Sequence, residues 1–394
     1  MSASVARFDS SKAVRLPPLW LAAAAMASVW GAVFSLARWI QHFLTDPAGD
    51  DFRVYYYTAK LGIQDGWSRI YDQAVLKAVM SAHFTGSQAV VDGGHTYPNP
   101  PTLVWIIAPL TVLSFGPAYA AFAALGLLCV LAAWRIASPF QGFGRLTLLL
   151  LGLAIWPVHY SLVFGQPTPE IIALVAGAWW FIRRDRALAA GVALALAASL
   201  KPQDVFLVPI ALLVAGRIRV FAWFAVACLA LAAIFFLFLG VQGIVEFWQI
   251  NLEVDGYAGH KILTLASLVG PGLPAAALQI GAAGLALFGA WRRRANLELV
   301  IAIGLAGSVV SALHAHESDF TMFVLAAWLA LRSPIGSLSR WWLLPGVVAL
   351  QMMSIGMAPP VLVWELVWLG LLVADRTGTT PAPAHDRRLQ APVV

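Results

Sequence analysis

The sequence predicts an all-α polytopic membrane protein, a bundle of about 12 transmembrane helices, and three observations predict it. Of 394 residues, 60% are hydrophobic and 11% are charged, whereas a soluble domain carries roughly 25% charged residues, so most of the exterior must face lipid. Apolar runs recur at about 18–42, 117–136, 146–163, 168–182, 187–200, 203–216, 219–240, 270–290, 297–313, 319–331, 341–356 and 359–374, each long enough, or nearly so, to cross a hydrocarbon layer of about 30 Å. The basic residues gather in the short connections between them, as membrane topology requires. The formal charge of +6 is dispersed in this way, which argues against a nucleic-acid partner.

The first run follows Arg7, Lys12 and Arg15, which places the N-terminus in the cytoplasm. It has no obvious small-residue cleavage site and is expected to be a retained first helix. Residues 45–99 form the first and largest outer loop. Pro101–Leu113 is too short to cross and is flanked by proline, so it is expected to be re-entrant or interfacial. With that segment left out of the count, Arg135/Arg145, Arg183–Arg186, Arg217/Arg219, Arg292–Arg294, Arg332/Arg340 and Arg387/Arg388 all fall on the cytoplasmic side. Residues 241–262 become a second outer loop. Residues 1–376 read as one integrated membrane domain, and 377–394, with its T-P-A-P-A run, as a disordered cytoplasmic tail. Cys129 and Cys228 lie inside apolar runs and form no disulfide framework.

Acidic residues and histidines, which played no part in that topology, concentrate on its outer side: Asp50, Asp51, Asp65, Asp72, Glu170, Asp204, Glu246, Glu253, Glu317 and Asp319 among the acids, and every histidine except His385 on it or near it. Five constellations stand out there. Gly49–Ala59 reads G-D-D-F-R-V-Y-Y-Y-T-A. Asp50 and Asp51 could supply a general base beside the sugar-stacking rings of Tyr55 and Tyr56; the same residues also suit a solvated loop start with an interfacial aromatic belt. His95–Pro101 reads H-T-Y-P-N-P-P and fixes the entry to the short apolar helix, with Tyr97 at the interface. Phe164–Glu170 reads F-G-Q-P-T-P-E, a helix break in which Gln166 could bond a sugar hydroxyl or simply sit in a tight turn. Ser199–Asp204 reads S-L-K-P-Q-D. Lys201 there either neutralises an anion such as a lipid phosphate, or snorkels, or pairs with Asp204. His314–Phe320 reads H-A-H-E-S-D-F. His314, His316, Glu317 and Asp319 invite a metal reading, but the spacing lacks the i, i+4 helical zinc pattern and suits substrate hydrogen bonding or an ordinary turn. His260 and Lys261, closing the second outer loop, offer a further phosphate contact or a snorkelling pair.

D-F-R-V-Y-Y at Asp51–Tyr56, I-Y-D at Ile70–Asp72, T-Y-P-N-P-P, F-G-Q and S-L-K-P follow one another in that order. This ordered set resembles glycosyltransferase family 87, polyprenol-phosphate-mannose-dependent mannosyltransferases of the GT-C superfamily, over most of Asp51–Arg217. The chain departs from the family pattern by inserting Asn99 into Y-P-P and by following G-Q with Pro167-Thr168-Pro169, positions that bear on substrate choice. The resemblance implies a GT-C-type bundle in a bacterial inner membrane, both termini cytoplasmic and the active site periplasmic. It implies Asp51 as catalytic base and Lys201, with His260 and Lys261, beside the donor phosphate. Asp50, Tyr55, Tyr56, Tyr97, Gln166, His314, His316, Glu317 and Asp319 would contact substrate. The implied partners are a polyprenyl-phosphate-linked sugar, a glycan or glycolipid acceptor and membrane lipid, with no cofactor and no metal indicated. The rival class is a secondary transporter or flippase for lipids or lipid-linked sugars, which would place its ionisable groups at the bilayer midplane.

Overall fold

In the computed structural model, residues 19–45, 50–83, 97–256 and 258–375 are described. The expectations attached to the basic N-terminus, to His95, to the His260 side chain and to the tail from Thr377 fall outside them. The helices run in order α1 (Leu19–Thr45), α2 (Asp50–Asp65), α3 (Gln73–His83), α4 (Pro101–Ile107), α5 (Phe115–Ala137), α6 (Gly142–Ala154), α7 (Trp156–Phe164), α8 (Thr168–Ile182) and α9 (Ala187–Leu200). They continue with α10 (Leu207–Val214), α11 (Ile218–Asp255), α12 (Ala266–Val269), α13 (Leu273–Arg292), α14 (Leu297–Val310), α15 (Met322–Leu331), α16 (Ser337–Trp341), α17 (Leu343–Met352) and α18 (Pro359–Ala374). The all-helical class is as expected.

Among the described residues four helices are long and apolar enough to cross a membrane, Leu21–Thr45, Phe115–Ala137, Ile218–Val254 and Leu273–Arg292, and α6 with α7 makes a fifth if that pair, bent by 56°, is one span. The expectation of about 12 crossings is therefore met in part. Other apolar helices have only 10–17 residues, or about 15–25 Å at the α-helical rise. Counting apolar residues in the sequence does not see where a run is broken. The break in 146–163 is Ile155, whose extended backbone stands between α6 and α7.

Helix α14 lies at the centre. It is apolar all round and buried from Leu299 to Val310, enclosed by α10, α13, α15 and α18, the condition in which a helix needs no polar face. Around it, α5, α8, α9 and α11 pack in succession, and α1 lies against α6 and α7.

The described parts of the two segments expected as outer loops are largely helical. Phe52, Tyr55, Tyr56 and Ala59 repeat at helical spacing and form the buried face of α2. Phe52 stacks on Phe122 and tilts against Phe115 and Tyr119. The second segment continues α11 beyond a kink at Gly240, where φ is 66°. Its Phe247 packs on Tyr71, and Asn251 donates to the Pro98 carbonyl at 3.1 Å. Both were read as loops because their polar residues interrupt an apolar count, yet their apolar residues fall on one helical face. The segment from Pro101 continues past α4 as a 3-10 turn over Ala108–Val112. The whole is roughly 20 Å long, short of a crossing, and is wedged between α2 and α9.

Candidate active site

Three helix breaks meet beside the N-terminus of α2. The first is Gly165, which ends α7 in the left-handed region at φ 71°. A Cβ there would also come within 2.5 Å of the Phe52 Cβ, so only glycine serves. The turn it makes sends Gln166 toward Asp51, in the first turn of α2, where the helix dipole favours a carboxylate. The second is Lys201. Pro202 disfavours helical backbone at the residue before it; Lys201 is extended at φ −156° and ends α9. Its side chain is turned into the protein, 3% exposed. The third is the turn from His316 through the 3-10 segment Glu317–Thr321, held by the Asp319 carboxylate accepting the His316 backbone N–H at 3.0 Å.

One glutamine joins the first two. The Gln166 amide nitrogen donates to Asp51 Oδ2 at 2.6 Å, and its carbonyl oxygen accepts from the Lys201 ammonium at 3.3 Å. That amide orientation follows from its partners, since a carboxylate can only accept and an ammonium can only donate. Lys201 also donates to Ser318 Oγ at 3.2 Å and pairs with Asp319, whose carboxylate takes the Ser318 hydroxyl at 3.1 Å. Asp204, 1% exposed, interacts with both Asp319 and Lys201. More acid than base is thus buried around a single ammonium, and the pairing is what lets the Asp319 carboxylate lie inside; neither oxygen of Asp204 has a hydrogen-bond partner.

The flanking groups belong to the same neighbourhood. Tyr55 is buried near Asp51, Tyr97, Asn99 and Asp319; burial first and Asp51 second push its hydroxyl well above the usual tyrosine range. The Tyr160 hydroxyl feels Asp51, Glu317, Asp319 and Asp50. Glu317 accepts the Trp156 indole N–H at 2.6 Å. Half-burial raises its carboxyl above the usual range, and that hydrogen bond only partly offsets the rise.

Of the expected site residues, Asp51, Gln166, Lys201 and Asp319 are brought into direct contact, with Asp50, Tyr55, His316 and Glu317 around them. His314 is half-buried in the turn before Glu317. Gln166, expected on a sugar hydroxyl, has an acid on one side and a cation on the other. The Tyr56 hydroxyl donates to the Leu113 carbonyl and that of Tyr97 to the Pro100 carbonyl, both at 2.6 Å, so these two rings hold α2 and the entry to α4. Lys261 closes the 3-10 turn Ala258–Lys261, and no described contact ties it to Lys201. Glu170, read as an outer-rim acid, is buried at the start of α8. Asn99 stood out in the sequence only as a departure from the family pattern, and Ser318, Trp156 and Tyr160 carried no signal of their own. The last two are hidden in an apolar run because aromatic rings count as apolar. Among the described residues no group of three or more His, Cys, Asp or Glu side chains is disposed to hold a metal ion.

Fold and site together define a multi-pass, all-helical membrane protein with a cluster of buried charges where three helix breaks meet. The chain belongs to glycosyltransferase family 87: the family's sequence profile matches residues 97–315, more than half of the chain. The matched span contains Gln166 and Lys201; Asp319 lies just past its end and Asp51 well before its start, and both reach it through their side chains. No curated protein and no solved structure matches the chain.

Proposed function

We propose that this glycosyltransferase transfers a hexose, mannose by the family resemblance, from a polyprenyl-phosphate carrier to a hydroxyl of a glycan or glycolipid, with inversion. Asp51 is the general base. The observation that carries the proposal is the Asp51–Gln166–Lys201 relay, which links a half-buried carboxylate to a buried cation through one amide. Asp51 Oδ2 is held by Gln166. The carboxylate takes the proton of the acceptor hydroxyl as that oxygen bonds to the anomeric carbon. The bond from that carbon to the phosphate oxygen breaks on the opposite face, and its electron pair leaves with the polyprenyl phosphate. Lys201 polarises the Gln166 amide, which strengthens the bond to Asp51 and keeps the carboxylate ionised and aimed.

In this proposal the reaction takes place on the outer face of a bacterial inner membrane, with both termini cytoplasmic and a GT-C-type bundle of about 12 crossings. Support comes from the acids and histidines lying opposite the arginine-rich connections, with the shorter apolar helices crossing as pieces that share their depth with neighbours. Release of polyprenyl phosphate from a labelled lipid-linked sugar, followed in membranes carrying the protein, tests the enzyme against a flippase, which moves the lipid-linked sugar intact. Asp51→Asn is expected to lower that release at least about a hundredfold at unchanged expression and melting temperature. Near-normal turnover by this variant would remove Asp51 from the role.

A further inference from the structure

Lys201 leaves a question of charge. Its ammonium is enclosed and already engaged by Asp319, Ser318 and Gln166, with Asp204 adjacent. A phosphate group that gains charge on leaving needs a cation it can reach. α1 contains such a group. Along its 27 residues Arg38 and His42 are the only charged or titratable side chains. They are one turn apart, on one face, near the end of α1 from which the chain goes on to Asp50 and Asp51. An arginine inside an apolar span is costly unless it serves a purpose.

Snorkelling to the lipid headgroups is the ordinary purpose, but the Arg38 guanidinium is also turned onto the protein. It lies 5.7 Å from the Trp156 ring, as it does from Phe34 on its own helix, and acts on the buried His159, as does His42. The ion pairs among the described residues join Arg69 to Asp72, Arg183 to Glu298 and Lys201 to Asp319, and none takes Arg38. Ser35, on the preceding turn, donates to the Ala154 carbonyl and fastens α1 to the break from which α7 bends away.

α7 connects this arginine to the relay. Its half-buried face carries Trp156, Tyr160 and Phe164, spaced i, i+4, i+8, while Pro157, Val158, His159, Ser161 and Val163 are buried. Tyr160 and Phe164 stack at 4.2 Å. The stripe runs roughly 12 Å from the Arg38 contact to Gly165 and Gln166. One hexose, with a phosphate at one end and an attacking hydroxyl at the other, bridges such a length.

We propose that Arg38, backed by His42 and set over Trp156, binds a lipid-borne phosphate, the carrier phosphate of the sugar donor. This rests on the glycosyltransfer reading above. A planar guanidinium offers paired donors to two phosphate oxygens, from a position open to the lipid that Lys201 does not have.

Binding separates this inference from the chemistry. The full chain, purified into phosphatidylcholine nanodiscs, is titrated with a long-chain polyprenyl phosphate and separately with phosphatidylglycerol. Arg38→Gln is expected to weaken polyprenyl phosphate binding about tenfold to a hundredfold, and Arg38→Lys by less. Asp51→Asn should bind as the wild type does, even though it does not turn over. Unchanged polyprenyl phosphate binding by Arg38→Gln overturns the proposal, and so does a loss confined to phosphatidylglycerol, which would make the site one for bilayer lipid. Wild-type protein that binds no polyprenyl phosphate overturns it as well. Failure of Asp51→Asn to lose turnover would instead count against the base and leave Arg38 standing.

Discussion

Carboxylates are buried in two opposite ways in this protein. Beside Lys201, Asp319 is pinned by an ammonium, a hydroxyl and a backbone N–H, while the neighbouring Asp204 lies in the field of the same cation with no hydrogen bond to either oxygen. In α18, Glu365 is just as deeply buried, yet one of its carboxylate oxygens has no hydrogen-bond partner, and at the start of α8 neither oxygen of Glu170 has one. A buried charge whose oxygens are all held fixes geometry; a buried acid with an oxygen left unheld fixes less around it. The first arrangement sits where three chain breaks converge, and the second on regular helix. The difference locates the chemistry more sharply than burial alone.

Substitutions break the comparison at its strong end first. Lys201→Met leaves at least Asp319 and Asp204 buried without their cation. Removing one partner of a buried pair costs about 3–5 kcal/mol, so the variant should show a large drop in melting temperature in detergent and no transfer. Restoration of stability by Lys201→Met with Asp319→Asn would show that the cost came from the uncompensated acid. Gln166→Leu should be milder. It cuts the relay but leaves the Lys201–Asp319 pair in place, lowering turnover by roughly tenfold to a hundredfold with a smaller change in stability. Equal losses of stability for the two variants would erase the distinction between pair and relay. At the weak end, Glu365→Gln should change the melting temperature little or raise it, because a neutral amide is easier to bury than an unpaired acid, and activity should persist. A loss of transfer on this substitution would mean that Glu365 has a partner in function that the fold does not display.

The strong end was the more legible of the two in the sequence. Asp51, Gln166, Lys201 and Asp319 each stood in a motif with a local physical signal: paired acids after a span, Gly before Gln, Lys before Pro, an acid-rich turn. Their meeting was not legible. It depends on Gly165 being forced to the left-handed region and on Lys201 choosing Asp319, 118 residues away in sequence, over Asp204 three residues away. Local spacing cannot rank those two. The helical class followed from composition, yet the number of long spans did not, since Ile155 ends α6 without interrupting the apolar run. Arg38 carried no signal in the sequence beyond its charge, since what sets it apart is its place over Trp156, which only the packing of α1 on α7 reveals.

Trp156 offers the finest of these tests, because it touches both sides of the comparison: its ring lies under the unpaired Arg38 and its N–H holds Glu317. Trp156→Phe keeps a ring for the cation and removes only the donor. Burial already raises the Glu317 carboxyl above its usual range, and the indole hydrogen bond opposes that rise, so losing the bond must raise it further. If turnover needs Glu317 ionised, the acid limb of kcat/KM moves to higher pH in this variant while the plateau above it is kept. The stability effect has the same sign. A carboxyl whose folded pKa exceeds its unfolded one opposes folding as the pH rises through the window between them, and that opposition vanishes below the unfolded value. Trp156→Phe should therefore lose more stability at neutral pH than at low pH. An acid limb that stays in place while stability shifts in this way would assign Glu317 to the framework of the turn and take it out of the reaction.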